Sequence, residues 1–161
     1  LRRSELVGLD FDDLVPVSAG LKITIRRSKT DQAGHGRVIA IPYGRTRYCP
    51  VTYLNRWVEQ IEPKEGPIFR GCTKGGTAPT TKRLSKEAVS ITVKNRVKDI
   101  GLDPAQYSGH SLRAGYVTSA IKAGAAEHMI RRQTGHASSA TMHRYIRIAE
   151  LFEDNPTSLL F

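Results

Sequence analysis

The chain of 161 residues is 39% hydrophobic and 25% charged, which is typical of one globular domain and excludes an intrinsically disordered protein. Its 25 Lys and Arg residues outnumber 15 Asp and Glu residues, and the net charge of +10 favours an acidic partner such as nucleic acid, although a basic protein without such a partner has the same composition. Two cysteines, no long apolar run and no HExxH or CxxC motif argue against a disulfide framework, a membrane span and a metal site.

The N-terminal part of the chain is expected to hold a β-hairpin. Residues 1–9 have leucine spacing compatible with the end of a helix. Residues 21–27 then alternate between apolar and polar, and a second apolar run follows at 37–41. The polar segment between them contains two glycines, so the two strands should pair through a long turn. Lys29 lies where the first strand becomes this turn.

Two helices and a loop are predicted for the middle of the chain. Pro50 can occupy the first turn of a helix whose apolar face includes Trp57, which is expected in the core. Segment 71–82 is rich in Gly and Thr and predicts a loop. Ser85 can cap a further helix that Gly101 can end.

The stretch 107–147 is predicted to form three short helices separated by turns. Gly is common just after a helix, and Ser or Gly is favoured just before one. Residues of these types mark the expected helix ends: Ser108 or Gly109 before the first helix, Gly124 after it and Gly135 after the second. Tyr145 is placed on the third helix.

Four side chains of this stretch indicate phosphate chemistry. His110 and Arg113 are three residues apart, so a helix places them on one face. The guanidinium of Arg113 is a forked, permanently charged donor that suits a phosphate. His136 follows a helix break, and Tyr145 comes nine residues after it. A phenol, two imidazoles and a guanidinium near one phosphate would form a nucleophilic phosphoryl-transfer site. The alternative for Tyr145 is a buried core tyrosine.

The order of these motifs resembles the catalytic domain of the tyrosine recombinases, the phage-integrase family. The chain opens with an Arg-Arg-Ser-Glu motif, carries Ser-Lys-Thr at the hairpin, and continues with His-x-x-Arg, Gly-His and Tyr. Either Arg2 or Arg3 can supply the first arginine, and Arg2 is chosen because Glu5 follows it by three residues. The resemblance covers almost the whole chain.

The resemblance implies a fold and a domain organisation. It predicts an α+β, mostly helical catalytic domain over residues 1–161, with a small antiparallel β-sheet near the N-terminal side. Because the first residue is Leu rather than Met, the domain is expected to be truncated at its N-terminus. A helical core-binding domain would precede it and is absent from this chain.

The resemblance also implies a site-specific DNA recombinase or integrase that cleaves and rejoins DNA through a 3′-phosphotyrosyl intermediate. Its implied catalytic residues are Arg2, Glu5, Lys29, His110, Arg113, His136 and Tyr145. Tyr145 would be the nucleophile, His110 the base that accepts its proton, and Lys29 the acid that protonates the leaving 5′ oxygen.

The other four residues would act on charge and orientation. Arg2 and Arg113 would hold the phosphate oxygens, with His136 as a further donor. Glu5 would orient Arg2 or His110. No metal and no other cofactor is predicted, because cationic side chains would supply the positive charge.

The expected partner is double-stranded DNA, bound by a homo-oligomer that is a tetramer in the synapse, and the expected location is the cytoplasm, at the nucleoid. No membrane and no small-molecule substrate is predicted. Basic residues expected to contact DNA are Arg26, Arg27, Lys82, Arg83, Lys94, Arg131 and Arg132. A type IB topoisomerase, a DNA-binding module without catalysis and a structural or interaction protein remain alternatives.

Overall fold

The computed structural model of the protein describes residues 1–28, 31 and 34–136, and within them the chain forms two small sheets and five α-helices. The helices are α1 (Arg3–Val7), α2 (Pro50–Val58), α3 (Lys86–Asp99), α4 (Ser111–Lys122) and α5 (Glu127–Thr134). The strands are β1 (Leu14–Val17), β2 (Gly20–Ile25), β3 (Arg37–Pro42), β4 (Arg70–Cys72) and β5 (Pro79–Arg83). Two short 3₁₀ helices span Phe11–Asp13 and Pro104–Gln106.

The predicted N-terminal hairpin is confirmed as β2 and β3 of a three-stranded antiparallel sheet in the order β1-β2-β3. Strand β2 alternates as expected, and its inward side chains are the buried residues Leu21, Ile23 and Ile25. Strand β1 was not predicted. It is a short edge strand that contains Pro16, a residue that normally argues against a strand and is tolerated at a sheet edge.

The main core lies between this sheet and α2. Buried Val51 of α2 packs with Ile68 and with the inward residues of β2. Trp57 packs against the same cluster, and its indole N–H donates a 2.9 Å hydrogen bond to the Ile68 carbonyl. The prediction that Trp57 is a core residue is therefore confirmed.

The predicted loop at 71–82 is wrong at both ends, which belong to strands β4 and β5 of an antiparallel hairpin, whereas residues 73–78 between the strands are its turn. The strands are largely exposed, and β5 consists of Pro, Thr, Lys and Arg. A hairpin without alternating apolar residues has no hydrophobic pattern in its sequence. A turn of 3₁₀ helix at Pro104–Gln106 precedes Tyr107.

The helix ends follow the capping residues of the sequence. Ser85 caps α3 through a 3.0 Å bond from the Ala88 N–H to its hydroxyl, as predicted. Helix α4 begins at Ser111, slightly later than expected, with His110 at the N-cap. Gly135 ends α5 in the left-handed conformation, with φ of 68°.

The expected third helix, with Tyr145, lies outside the described residues, as does Lys29. None of the described helices is long and apolar enough to cross a membrane.

Candidate active site

The buried carboxylate of Glu5 connects α1 to the sheet and to the end of α5. The residue is only 3% exposed. Its oxygens accept hydrogen bonds from the Arg2 backbone N–H at 2.7 Å, the Arg2 guanidinium at 2.8 Å and the Ser28 hydroxyl at 2.8 Å. Of the two partners predicted for Glu5, the described contacts join it to Arg2.

The hydrogen bonds around Glu5 keep it ionised. Burial by itself raises the pKa of Glu5. Hydrogen bonds from Arg37, from the Arg2 backbone, from Ser28 and from the Arg2 side chain outweigh this effect and lower the pKa to about 2. Glu5 is therefore a permanent anion at neutral pH. The negative charge holds arginines on both sides of it.

Arg2 reaches from the N-terminal end of α1 to the C-terminal end of α5. One guanidinium nitrogen, Nη1, bonds to Glu5 and to the Ser28 hydroxyl, the latter at 2.6 Å. The other, Nη2, donates to the Gly135 carbonyl at 3.0 Å. A residue at the start of the chain is thus hydrogen-bonded to the residue that immediately precedes His136.

Arg37 is a member of this cluster that sequence reasoning missed. It begins β3, and its guanidinium bonds to both Glu5 oxygens at 3.2 Å. It also donates to the Thr134 carbonyl at 3.4 Å. Because a charged residue at the start of a strand is ordinarily taken as a surface residue, its sequence position contains no signal for this role.

Helix α4 brings the His-x-x-Arg motif to the same region. Arg113 is only 6% exposed, whereas His110 lies at the exposed N-cap. Arg113 is also among the charged residues close enough to act electrostatically on His136. The structure thereby brings residues of the first helix, of α4 and of the turn after α5 into one site.

His136 is a half-buried imidazole in a positive environment. Burial and the nearby charges of Arg113, Arg2, His110 and Arg131 lower its pKa to about 4. The ring is therefore neutral near pH 7 in the protein without DNA. Its Nδ1 atom lies 2.9 Å from the Thr134 hydroxyl oxygen.

Among the described residues, no group of three or more His, Cys, Asp or Glu side chains could hold a metal ion. The positive charge of the site comes from guanidinium groups. The predicted nucleophile Tyr145 and the predicted acid Lys29 lie outside the described residues. Their roles stay predictions.

The basic residues predicted to contact DNA differ in their surroundings. Arg27, Lys82, Lys94 and Arg132 are exposed. The other three form ion pairs within the protein: Arg26 with Asp13, Arg83 with Asp10, and Arg131 with Glu127. Contact of all seven with DNA stays a prediction.

Residues 1–151 match the sequence model described as the phage integrase family. The chain therefore belongs to the phage integrase family, the tyrosine recombinases, and the predicted family is confirmed. This result is independent of the site geometry.

A curated relative and solved structures agree with this assignment. The chain is 40% identical over 161 residues to an integrase/recombinase xerD homolog of Selenomonas ruminantium. It resembles the crystal structure of XerH site-specific recombinase bound to palindromic difH substrate, a post-cleavage complex, with a TM-score of 0.67 and 19% identity over 95% of this chain. It resembles that of XerA recombinase with a TM-score of 0.65 and 21% identity over 98% of this chain. The predicted fold class is confirmed.

The matched proteins are longer than this chain. The alignment covers 99% of the chain but 47% of the xerD homolog, 39% of the XerH chain and 50% of the XerA chain. The chain thus spans about half the length of the curated relative that it matches.

Proposed function

We propose that this chain is the catalytic domain of a site-specific recombinase. The enzyme cleaves and rejoins DNA through a 3′-phosphotyrosyl intermediate. One observation carries the proposal. Arg2, which bonds to the Gly135 carbonyl beside His136, and His110 and Arg113 at the start of α4 come together around the His136 imidazole. The family membership of the chain supports the same activity.

The two arginines would bind the phosphate that is attacked. Attack on a phosphodiester places negative charge on its non-bridging oxygens, and fixed donors aimed at those oxygens lower the barrier. Arg113 is buried, and Arg2 is held by Glu5 and by the Gly135 carbonyl, so both have restricted side chains. Preorganised donors of this kind need little rearrangement when charge develops.

Tyr145 would supply the nucleophile and two further residues would move protons. The Tyr145 Oη forms a bond to phosphorus while the bond from phosphorus to the 5′ oxygen breaks. His110 accepts the phenolic proton, because a free phenol with a pKa of about 10 is otherwise protonated. Lys29 gives a proton to the departing 5′ oxygen. The phosphotyrosine keeps the energy of the broken bond, so rejoining is the reverse reaction.

The partner would be double-stranded DNA. The net charge of +10 and the exposed Arg27, Lys82, Lys94 and Arg132 support binding to phosphates. The XerH relative was solved with its DNA substrate before and after cleavage. By analogy we propose a homo-oligomer on DNA, with four copies in the synapse, acting at the nucleoid.

Replacement of Tyr145 by Phe tests the proposal. The full-length protein is incubated with genomic DNA of its source that carries random nicks, which trap a cleaved strand by letting the short end diffuse away. We expect the wild-type protein to form DNA adducts that survive denaturant, and Tyr145→Phe to form none, while DNA affinity changes by less than about twofold, since one hydroxyl contributes little to a salt-driven affinity.

Tyr116→Phe is the matched control, because Tyr116 is a half-exposed tyrosine on α4 and has no predicted role in the reaction. It should form adducts at the wild-type level. Adducts that persist in Tyr145→Phe, or that disappear in Tyr116→Phe alone, would contradict the assignment of the nucleophile.

A further inference from the structure

The hydroxyl of Thr134 lies between the last turn of α5 and the ring of His136. Thr134 is only 2% exposed. Its Oγ1 donates a 2.7 Å hydrogen bond to the Ile130 carbonyl and lies 2.9 Å from His136 Nδ1. Both distances are within the ordinary range of hydrogen bonds. The hydroxyl is therefore shared between a helix carbonyl and a residue of the proposed active site.

The single proton of the Thr134 hydroxyl determines which tautomer the His136 ring adopts. A hydroxyl has one proton, whereas the Ile130 carbonyl can only accept. If the proton faced Nδ1 instead, two oxygens would be 2.7 Å apart without a hydrogen between them, which is repulsive. The Thr134 hydroxyl therefore donates its proton to the Ile130 carbonyl, and Nδ1 of His136 must donate its own proton to the Thr134 oxygen. In the neutral ring Nε2 then has a lone pair and no hydrogen.

Charged and titratable groups from several elements surround this ring. They are Arg2 beside α1, Arg113 and His110 at the start of α4, and Arg131 in α5. Arg37 of β3 and the Glu5 carboxylate lie next to the adjoining turn, where Arg37 bonds to the Thr134 carbonyl. Among the described residues, the arginines around the ring outnumber the carboxylates of Glu5 and of Glu127, which pairs with Arg131, so a second proton on His136 is disfavoured until a negative phosphate is bound.

We propose that Thr134 is a positioning residue that locks His136 in its Nδ1–H form, so that the neutral ring offers DNA an Nε2 acceptor rather than a donor. This inference rests on the proposed function for its catalytic meaning. It refines the role predicted from sequence, because His136 can donate to a phosphate oxygen only as an imidazolium. Cleavage then requires a second proton on the His136 ring, whereas a ring in the Nε2–H form could donate to the phosphate while neutral.

The tautomer is measured directly by nitrogen NMR of histidine-labelled full-length protein without DNA. Wild type and Thr134→Ser, which keeps the hydroxyl, should both show a protonated Nδ1 and an unprotonated Nε2 at His136. Thr134→Val has the same shape without the hydroxyl, and should shift the ring toward the Nε2–H form that neutral imidazole favours in water. Loss of the His136 signals in His136→Gln assigns them.

A pH series tests the catalytic consequence. Rates of adduct formation in a single turnover should fall about tenfold per pH unit on the alkaline side for wild type and Thr134→Ser, as expected for one required proton. Thr134→Val should show a flatter alkaline limb. A structural role alone would lower the rate at every pH without changing this profile.

Several results would overturn the inference. A protonated Nε2 in the wild-type protein is one of them, and this measurement does not depend on whether any variant folds. An unchanged tautomer or an unchanged alkaline limb in folded Thr134→Val is another. If the wild-type protein forms no adduct with any DNA, the proposed function fails, and the NMR measurement still decides whether Thr134 sets the tautomer.

Discussion

Glu5 is the residue on which the local geometry of the proposed site depends. It is a buried anion that holds Arg2 and Arg37 at the same time. Each of these guanidiniums also bonds to a carbonyl at the end of α5. Removal of one partner from a buried ion pair leaves uncompensated charge and usually destabilises a protein strongly. Glu5 therefore links stability to the position of His136.

Glu5→Gln should destabilise the protein at neutral pH and much less in acid. The pKa of Glu5 is lowered to about 2 from 4.5. A lowered pKa stabilises the fold above the unfolded value, and this contribution is lost as the pH falls through the folded value. We expect a loss of about 3 kcal/mol near pH 7, at the low end for a broken buried pair because both arginines are partly exposed.

The measurement is urea unfolding of both proteins at several pH values. The difference in free energy of unfolding should be constant above about pH 5 and should shrink toward about pH 2. Glu59→Gln, at an exposed position after α2, is the control and should change little. A difference that does not depend on pH would mean that ionised Glu5 contributes no stability.

At the scale of elements, the C-terminus of α5 is the point where three parts of the chain meet. Arg2 beside α1 and Arg37 of β3 donate to the carbonyls of Gly135 and Thr134. Carbonyls at the end of a helix lack helical partners and form the negative end of its dipole, which favours cations. The two guanidiniums therefore both satisfy and neutralise this helix end, directly before His136.

Gly135→Ala should damage this junction. The residue has φ of 68°, and an added Cβ would lie 2.6 Å from the Arg37 Cζ and Nη1 atoms. The left-handed conformation alone costs a residue with a side chain roughly 1–2 kcal/mol. Displacement of Arg37 adds to that amount. Thermal unfolding and adduct formation should both report the loss.

Gly124→Ala is the matched control. Gly124 also has a positive φ, of 76°, but among the described residues no atom other than those of its chain neighbours lies within 4 Å of the position of an added Cβ. It should lose only the conformational amount and retain DNA cleavage. Equal effects of the two substitutions would show that the contact between Gly135 and Arg37 has no importance.

At the scale of the whole molecule, the charges are divided between an inner and an outer set. The inner arginines pair with Glu5 and with helix carbonyls, whereas Arg27, Lys82, Lys94 and Arg132 are exposed. Exposed cations release counterions from DNA when they meet phosphates, which makes affinity depend on salt. The exposed set is therefore expected to determine affinity, and the inner set to determine catalysis.

Lys94→Gln should weaken DNA binding equally for all sequences and reduce the slope of log K against log salt by about 1. The slope is measured by titrating duplexes with the full-length protein at several salt concentrations. Lys64→Gln is the control, since Lys64 is exposed near Glu62 and was not predicted to contact DNA. If Lys94→Gln leaves the slope unchanged, α3 does not lie on the DNA backbone.

Local features of the chain were sufficient for the helix ends, the N-terminal hairpin and the family. Ser85 and Gly135 were identified because capping and left-handed turns depend on one residue and its immediate neighbours. The paired strands were identified because burial on one face of a sheet requires apolar residues at every second position. The family followed from residue types and their order.

Only the tertiary structure identified Arg37 and the hydroxyl of Thr134 as parts of the site. Arg37 lies 32 residues from Glu5 and 97 residues from Thr134 in the chain, and its bonds to them exist only because the fold brings the start of β3 within reach of Glu5 and of the end of α5. The two partners of the Thr134 hydroxyl, Ile130 and His136, are close to it in the chain, but the orientation of the His136 ring toward that hydroxyl is seen only in the structure. A guanidinium or a hydroxyl bonds to whatever the fold places within about 3 Å, so its partner is a property of the packed structure.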